Sequence, residues 1–325
     1  MRVSSGCKMA YFRLASSVGC RNLIANHSWK RMSTAAEMLP ANVKDMLPPG
    51  TFNGKVAFIT GGGTGIGKGI ATNLSRLGAS VVITSRKIDV LEKTAAEISD
   101  VYPIQADVRD ATAVTKAVDQ CLNEVGLPTL IVNNAAGNFV SPTERLSANA
   151  FRTIVEIVLL GSSNVTLEIG KRLIEAQKAG AFVSISTTYA DVGSGFVVPS
   201  ACSKAGVNAM VRSLAAEWGR YGMRFNAIAP GAIETKGAMS RLDPTGGFYK
   251  KAIERTPAGR CGQIGELANL ASYLLSDYAN WLSGEVINFD GGEMAYMAGQ
   301  MNALSSVSSK EWDLMEKAIR SVKGS

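Results

Sequence analysis

The chain has 325 residues, 46% of them hydrophobic, with 34 basic and 27 acidic side chains and a formal net charge of +7. A chain of this length can bury a full hydrophobic core, in one large α/β domain or in two smaller ones. No apolar run approaches 18 residues, which argues against a membrane span. The only histidine is His27, so neither a Ser-His-Asp triad nor a His-ligated metal is expected in the rest of the chain.

The positive charge is concentrated at the N-terminus. Residues 1–36 contain six basic side chains and no acidic one, and the remainder has 28 basic and 27 acidic residues. The segment is rich in serine and small apolar residues, which is typical of a mitochondrial transit peptide; a disordered basic tail is the alternative. The C-terminal Lys323-Gly324-Ser325 does not match a peroxisomal signal. We therefore expect a soluble protein of the mitochondrial matrix that binds no nucleic acid.

From Lys55 onward, short β-branched runs alternate with longer helical patterns, which is typical of a parallel sheet wrapped by helices. The predicted strands are Val56 to Thr60, Ser80 to Ser85, Tyr102 to Asp107, Thr129 to Asn133, Ala181 to Ser186, Arg224 to Ile228 and Val286 to Phe289. Several of them are apolar almost throughout, as expected for strands covered on both faces. The sequence thus predicts an α/β fold, a single-domain, doubly wound Rossmann-type parallel sheet of about seven strands, with its ligand at the carboxyl edge.

The chain divides into four predicted segments. They are a transit peptide (1–36), a linker or N-terminal arm (37–53), the Rossmann-type domain (54–292) and a C-terminal extension (293–325). The extension includes Ser309 to Lys323, whose amphipathic spacing predicts a helix. Cys121, Cys202 and Cys261 are too widely spaced for a zinc site, so no metal is expected, and we predict buried, reduced thiols.

A glycine-rich segment, TGGGTGIG, follows the first predicted strand and leads into a helical pattern. Glycine permits positive φ and lets a pyrophosphate approach the amides at a helix N-terminus. The strand before it, the helix after it and the glycine spacing favour a dinucleotide-binding turn over a purely structural one. The predicted cofactor contacts are Gly61, Gly62, Gly63, Thr64, Gly65, Ile66 and Gly67.

Arg86 follows the second predicted strand, where a site selective for NAD usually has an acidic residue. An arginine can bind the 2′-phosphate of NADPH through charge-assisted hydrogen bonds worth roughly 1.5–3 kcal/mol. We therefore predict NADPH as the cofactor. The alternative is a surface arginine in solvent.

Three motifs together resemble the short-chain dehydrogenase/reductase family. They are the glycine-rich turn, Asn133-Asn134-Ala135-Ala136-Gly137 after the fourth strand, and Pro230-Gly231 after the sixth. The resemblance covers roughly residues 54–292 and implies a Rossmann-type oxidoreductase. Members of that family usually act through a Tyr-x-x-x-Lys pair on one helix, in which the tyrosine transfers a proton and the lysine lowers its pKa.

The chain departs from that pattern at the tyrosine. Ser200 stands four residues before Lys204, and Tyr189 comes two residues after Thr187, which occupies the place of the family's strand-end serine. The family's helix asparagine is missing, whereas Asn138 follows the Asn-Asn-Ala-Ala-Gly segment. This relocated set resembles the mitochondrial 2,4-dienoyl-CoA reductases, a branch of the family, as do residues 138–146, 195–200 and 240–246.

That resemblance implies NADPH-dependent reduction of a 2,4-dienoyl-CoA to a 3-enoyl-CoA in the β-oxidation of unsaturated fatty acids. Tyr189 and Asn138 would donate hydrogen bonds to the thioester oxygen as it gains charge. Lys204 would hold the nicotinamide ribose, and Ser200 would fill the vacated tyrosine position. The resemblance also implies cofactor contacts by Asp107, Pro230, Gly231, Ala232 and Ile233, and substrate contacts by Arg86, Arg109, Phe139, Ser147 and Arg241.

Two other functions stay open. A carbonyl reductase of the same family, acting on 3-oxoacyl substrates, would need a tyrosine at position 200. A catalytically idle NADPH-binding subunit is possible because loss of the Tyr-x-x-x-Lys pair can end activity. Tyr189 could also be a buried aromatic, and Ser200 and Asn138 could be cap or turn residues. The expected partners are an acyl-CoA substrate and further copies of the chain in a homotetramer.

Overall fold

A seven-stranded parallel sheet with the order β3-β2-β1-β4-β5-β6-β7 organises the part of the chain that the structure describes. That part is residues 35–235 and 247–321 of a computed structural model, without the side chains of 248 and 249. The strands are β1 (Val56–Thr60), β2 (Ser80–Ser85), β3 (Val101–Gln105), β4 (Leu130–Asn133), β5 (Gly180–Ile185), β6 (Met223–Pro230) and β7 (Val286–Phe289). The α/β class and the doubly wound Rossmann-type sheet are therefore confirmed.

Helices follow the strands in chain order. They are α1 (Gly65–Arg76), α2 (Ile88–Ala95), α3 (Ala111–Glu124), α4 (Ala148–Val155), α5 (Gly161–Glu175), α6 (Tyr189–Val192), α7 (Val198–Trp218), α8 (Gly247–Arg255), α9 (Ile264–Leu275), α10 (Glu293–Ala298) and α11 (Ser309–Ser321). The segment predicted as a helix to Lys323 is thus helical as far as Ser321; the remaining residues lie outside the described part of the chain.

Both faces of the sheet are covered because the strands are apolar on both sides. One core cluster joins the sheet to α1 and α9, with Leu74 and Leu274 fully buried. The second joins it to α3, α5 and α7, with Val118 and Ile169 fully buried. Crossover helices on both faces account for the near-continuous hydrophobic strands seen in the sequence.

A π-helical turn, Glu156–Leu160, joins α4 and α5 into one helical run, Ala148–Glu175. This run is long and apolar enough to cross a membrane, with a mean hydropathy of 1.3 in its most apolar window. However, its Val165, Ile169 and Leu173 are buried against the sheet. The run therefore has the character of a core helix.

Residues just before β1 also belong to the core. Leu47 and Phe52 are buried in the cluster beside α1, and the Phe52 amide donates to the carbonyl of Leu77 at 2.9 Å. Arg76 at the end of α1 forms an ion pair with Asp45, with Nη2 2.5 Å from Oδ1. Part of the segment predicted as a linker or N-terminal arm thus packs as an extension of the core.

The chain separates into two compact units, and the sheet lies in the one formed by residues 41–249 and 261–290. Of the other unit, residues 35–40, 250–260 and 291–321 are described. Within it, Arg255 pairs with Glu293 at 3.0 Å, and the Ala258 amide donates to the carbonyl of Gly291 at 3.1 Å. Helix α11 contributes no buried residue.

The strand bounds differ from the predicted ones by one or two residues at four strands, β3 to β6. Strand β3 ends at Gln105 because a turn follows, in which the Asp110 amide donates to the carbonyl of Asp107. Strand β6 reaches Pro230 because that residue still pairs with Phe289 of β7. Cys202 is exposed, contrary to the prediction, because Ser200 and Ser203 take the buried face of α7.

Candidate active site

The carboxyl ends of the strands carry the residues singled out in the sequence. The strand order reverses between β1 and β4, and ligands of open α/β sheets bind at such a switch point. The glycine-rich turn follows β1, the Asn-Asn-Ala-Ala-Gly segment follows β4, and the short helix α6 follows β5. The fold therefore brings these three segments to one edge of the sheet.

The glycine-rich turn has a backbone that only glycine adopts readily. Gly61 has φ +65° and Gly65 has φ +54°. A Cβ on Gly67 would lie 2.4 Å from the carbonyl oxygen of Gly61, and one on Gly62 would lie 2.6 Å from Cγ2 of Ile83. The turn thus has no room for side chains at these two positions.

Side chains hold this turn in place from neighbouring strands. Asn134 Nδ2 donates to the carbonyls of Thr60 and Gly61, at 3.0 and 3.1 Å. Thr60 Oγ1 in turn accepts from the amides of Asn134 and Ala135, at 3.0 and 2.9 Å. Thr94 Oγ1 donates to the carbonyl of Gly63 at 2.8 Å. None of these three polar residues was predicted as a site residue, although Asn134 belongs to the Asn-Asn-Ala-Ala-Gly motif.

The turn fits the pyrophosphate of a dinucleotide. Helix α1 starts at Gly65, its N-cap residue Thr64 makes no side-chain capping bond, and its first turn contains no acidic residue. Its N-terminal amides are therefore open to an anion, which the helix dipole also favours. No charge in the turn opposes the cofactor predicted to bind there.

The loop after β6 lies close to the same turn. Pro230 is the last residue of β6, so the loop proper begins at Gly231, whose amide donates to the carbonyl of Phe289 at 3.1 Å. Gly262 anchors the next residues, since its amide donates to the carbonyl of Ala232 at 3.0 Å and it forms a bridge with Ile233. Thr235 Cγ2 is 4.0 Å from the position of a Cβ on Gly65. The two segments predicted to bind the cofactor are thus neighbours.

Two of the predicted contacts pair with each other. Arg109 Nε lies 3.0 Å from both carboxylate oxygens of Asp107, and its Nη2 lies 2.5 Å from Oδ2. This contact lowers the pKa of the Asp107 carboxyl and raises that of the Arg109 guanidinium. Arg86 is exposed, and its positive charge also lowers the pKa of Asp107. Among the described residues Arg86 has no ion-pair partner, so its guanidinium can bind a phosphate.

Lys204 is buried on α7 beneath the carboxyl end of β5. Its Nζ donates a hydrogen bond to the carbonyl of Ile185, the last residue of β5. Burial lowers the pKa of Lys204 to about 8, because charging an amine away from water costs free energy. At neutral pH the side chain is still mostly protonated.

Tyr189 contacts the residue that replaces the family's tyrosine. The Tyr189 hydroxyl lies 3.1 Å from Oγ of Ser200, within hydrogen-bonding distance. Ser200 is buried and stands one turn before Lys204 on the same face of α7. Tyr189 of α6, Ser200 and Lys204 therefore lie together near the start of α7. Helix α6 contacts Ser200 there, and strand β5 contacts Lys204.

Asn138 lies in a loop that lines a cavity of about 590 Å³. Its Oδ1 is buried without a hydrogen-bond partner among the described residues. The cavity is lined by Asn138, Phe139, Val140, Ser141, Arg145, Leu146, Ser147 and Ala150. It thus combines apolar walls with an amide oxygen that has no partner among the described residues, which suits an apolar ligand that carries a polar group.

Three of the residues predicted to contact the substrate, Phe139, Ser147 and Arg241, differ in their surroundings. Phe139 is 44% exposed at the cavity wall. Ser147 also lines the cavity, but its hydroxyl already accepts from the amide of Ala150 as the N-cap of α4. Arg241 lies outside the described residues.

The two site loops are joined by one backbone contact. The Ser141 amide donates to the carbonyl of Phe196 at 2.9 Å. Phe196 is 62% exposed and has φ +65°, a left-handed conformation that is uncommon for a bulky side chain. No sequence pattern predicts this backbone conformation.

The fold and this site define a dinucleotide-dependent oxidoreductase. A family profile described as Enoyl-(Acyl carrier protein) reductase matches residues 61–293. An uncharacterized oxidoreductase of Caenorhabditis elegans is 48% identical over 84% of this chain and 91% of its own. A probable 2,4-dienoyl-CoA reductase of the same organism, described as (3E)-enoyl-CoA-producing, is 44% identical over 87% of this chain and 95% of its own.

The solved structures agree with the sequence relatives. The crystal structure of a short chain dehydrogenase from Bacillus anthracis has a TM-score of 0.69 and 41% identity, covering 76% of this chain and 98% of that chain. The chain belongs to the short-chain dehydrogenase/reductase family. It is an oxidoreductase, and members of its family use a nicotinamide cofactor.

Proposed function

We propose that the protein reduces 2,4-dienoyl-CoA to 3-enoyl-CoA with NADPH, in the β-oxidation of unsaturated fatty acids. The observation that carries this proposal is the contact between Tyr189 and Ser200, which puts a phenol beside the helix position where the family has its tyrosine. The relative named as a probable 2,4-dienoyl-CoA reductase supports the same substrate class.

The cofactor would be held by the segments described above. The glycine-rich turn would bind the pyrophosphate and Arg86 the 2′-phosphate, Asp107 would contact the adenine end, and Lys204 would hold the nicotinamide ribose. The loop from Pro230 to Ile233 would lie along the nicotinamide. When bound, NADPH supplies the hydride that adds to the far end of the conjugated diene.

The protein's own task is to stabilise the charge that then collects on the thioester oxygen. A phenol has one proton, so if Tyr189 donates it to that oxygen, its own oxygen accepts from the Ser200 hydroxyl 3.1 Å away. Asn138 would provide the second donor through its Nδ2, at a side chain whose Oδ1 is buried without a partner among the described residues. Donors fixed in advance stabilise the transition state selectively.

Lys204 adds positive charge near the phenol without being exposed to water. Its charge favours the anionic intermediate, and its bond to the Ile185 carbonyl fixes its position. A proton taken up at the α-carbon completes the reduction, so that one hydride and one proton are added and one double bond is lost. A bound water molecule is our candidate for the proton source.

Substrate contacts are proposed for Phe139, Ser147, Arg109, Arg86 and Arg241. Phe139 lies at the wall of the cavity, where an acyl chain would cover its exposed face. The phosphates of CoA would attract the arginines. Arg109 would have to share its guanidinium with Asp107.

The decisive experiment follows the loss of NADPH absorbance with a 2,4-dienoyl-CoA. We expect turnover by the parent protein and a fall in kcat of about 10²–10³ for Tyr189→Phe and for Asn138→Ala. Tyr278→Phe, at a 65% exposed tyrosine, is the matched control and should keep full activity. Unchanged kcat in Tyr189→Phe would overturn the mechanism.

The same assay separates the two competing functions. Turnover of a 3-oxoacyl-CoA without turnover of the dienoyl-CoA would identify a carbonyl reductase. Binding of NADPH without oxidation by either substrate would identify an idle subunit. NMR of the product then locates the remaining double bond, which we expect between carbons 3 and 4.

Localisation and assembly are part of the proposal. We infer import into the mitochondrial matrix from the acid-free basic segment at residues 1–36, which lies almost entirely outside the described residues. A fluorescent protein fused after residue 53 should enter mitochondria, and cytosolic or peroxisomal fluorescence would contradict this.

We also propose a homotetramer, and native mass spectrometry should give four times the mass of the chain.

A further inference from the structure

A row of three buried polar residues runs along one face of α7. Ser200, Lys204 and Asn208 are spaced four residues apart, so they lie one above the other on the helix. Ser200 contacts Tyr189, and Lys204 donates to the carbonyl of Ile185. Asn208 is 1% exposed and belongs to neither the family's motif nor the proposed reaction.

Asn208 joins three elements through its amide. Ser186 Oγ, just beyond β5, donates to Asn208 Oδ1 at 2.6 Å. Asn208 Nδ2 donates to Asp191 Oδ1, in α6, at 3.2 Å. Both functions of the amide are therefore used, and the bond to Asp191 has the added strength of a bond to a carboxylate.

The element that Asn208 tethers is the one that carries Tyr189. Helix α6 has only four residues, its N-cap residue Thr188 makes no capping bond, and it ends at Gly193 with φ +77°. So short a helix has almost no stability of its own in water. Its orientation depends on contacts with its surroundings, and two of these are the Tyr189–Ser200 and Asp191–Asn208 bonds to α7.

We propose that Asn208 is a positioning residue, which sets the direction of the Tyr189 phenol by fixing α6 through Asp191. This inference rests on the proposed role of Tyr189. Misplacing a catalytic group by about 1 Å can cost about 10²-fold in rate. Loss of the Asn208 amide should therefore lower kcat for the dienoyl-CoA by about tenfold to hundredfold, with little change in the KM for NADPH.

Asn208→Ala alone would not separate positioning from a general loss of stability, so a matched control is needed. Asn226 is also 1% exposed, and its amide donates to the carbonyl of Leu282 at 2.8 Å and accepts from the Glu285 amide at 3.1 Å. These contacts lie at the amino end of β7, away from the site. We expect Asn226→Ala to lower the unfolding midpoint as much as Asn208→Ala but to leave kcat unchanged. An equal fall in kcat in both variants would overturn the proposal.

A reciprocal exchange provides the rescue. Asn208→Asp sets a carboxylate against Asp191 and should lose most of the activity, whereas Asp191→Asn keeps an acceptor for the Asn208 amide and should lose less. In the double variant, Asn208→Asp with Asp191→Asn, an amide again faces a carboxylate and Ser186 keeps an acceptor. We expect kcat to recover to within about threefold of the parent. A double variant no better than Asn208→Asp would contradict the proposal.

The last measurement is independent of the reaction. With 3-fluorotyrosine incorporated in place of Tyr189, the fluorine resonance of the ligand-free protein should shift or broaden in Asn208→Ala and stay unchanged in Asn226→Ala. If the parent turned over no dienoyl-CoA, the proposed function would fail while this resonance still tested the positioning. An unchanged resonance in Asn208→Ala would overturn the positioning alone.

Discussion

The glycine-rich turn, which we propose binds the cofactor (the cofactor side), differs in construction from the loops at residues 138–147 and 193–197, which we propose bind the substrate (the substrate side). On the cofactor side, the backbone of the glycine-rich turn is held by side chains from other segments, Asn134 and Thr94. On the substrate side, Asn138 has a buried oxygen without a partner, and Phe139 and Phe196 are largely exposed. One backbone bond, from Ser141 to Phe196, joins the two substrate loops.

The glycine-rich turn is therefore ordered by the chain itself, whereas the substrate side has polar and apolar groups that only a ligand would cover. The turn is fixed before any ligand binds, so little ordering cost remains for the cofactor. The substrate loops keep hydrogen-bonding capacity and apolar area that a thioester and its acyl chain can use. Four substitutions test this contrast, and they are taken from the largest expected effect to the smallest.

The tightest point of the cofactor side is Gly67. In Gly67→Ala the new methyl group would lie 2.4 Å from the Gly61 oxygen and 2.5 Å from Asn134 Nδ2, so the turn must move. We expect NADPH affinity to fall by more than about 100-fold in a fluorescence titration, because overpacking costs about 1–3 kcal/mol and the displaced amides lose the pyrophosphate. Gly219→Ala is the control, since nothing lies within 4 Å of a Cβ there. Normal binding by Gly67→Ala would show that the turn is adaptable.

Lys204 is buried on α7, and its burial should cost stability. Its pKa falls from the ordinary 10.5 to about 8 on folding, so the native state binds fewer protons and stability rises as pH increases between these values. The cost is complete below pH 8. Lys204→Met should therefore be more stable at pH 7 by about 2 kcal/mol, after allowing for the lost hydrogen bond to Ile185.

Urea unfolding without cofactor measures this gain, which should shrink towards zero near pH 10.5. The same variant should lose most of its activity. A Lys204→Met protein less stable than the parent at pH 7 would mean that the amine is well solvated in the fold.

Substitution of Arg86 tests the predicted preference for NADPH over NADH. Arg86→Ala should lower the ratio of kcat/KM for NADPH to that for NADH by about tenfold to hundredfold, because the 2′-phosphate loses a charge-assisted partner. Lys44→Ala, at an exposed lysine of the N-terminal arm, should leave the ratio unchanged. An unaltered ratio in Arg86→Ala would remove the argument for NADPH.

Phe196 should show the smallest effect, on the substrate side. In the left-handed region a side chain costs about 1–2 kcal/mol, which glycine avoids at an entropic cost of about 0.5–1 kcal/mol. Phe196→Gly should thus be more stable than Phe196→Ala, which keeps φ +65° and a Cβ, by about 0.5 kcal/mol. Both variants should raise the KM for a long-chain dienoyl-CoA by a similar factor. Equal stability of the two variants would indicate that the backbone there is unstrained.

Much of the fold could be predicted from the sequence, because buried strands are runs of apolar residues and the tight turn is rich in glycine. The glycine-rich turn and the seven strands were predicted to within two residues. Strand ends were less accurate, since they depend on pairing with a neighbour, as at Pro230 and Phe289.

The site residues could be predicted only where they belong to, or replace, a motif of the family. Tyr189, Ser200 and Lys204 were predicted as a group, and the structure brings them together. Asn134 and Asn208 were missed because an asparagine in a helix or after a strand has no distinctive local pattern. Their roles depend on which carbonyl or carboxylate the fold places opposite them.

The burial of Ser200 makes the present arrangement hard to reverse. Ser200 is only 3% exposed and its hydroxyl already contacts the Tyr189 hydroxyl, so a phenol at position 200 would have to occupy space that Tyr189 holds. Returning to a Tyr-x-x-x-Lys helix would require shrinking residue 189 in the same step. A protein library that varies either position alone should therefore yield no ketone reductase, whereas joint variation of both opens that route.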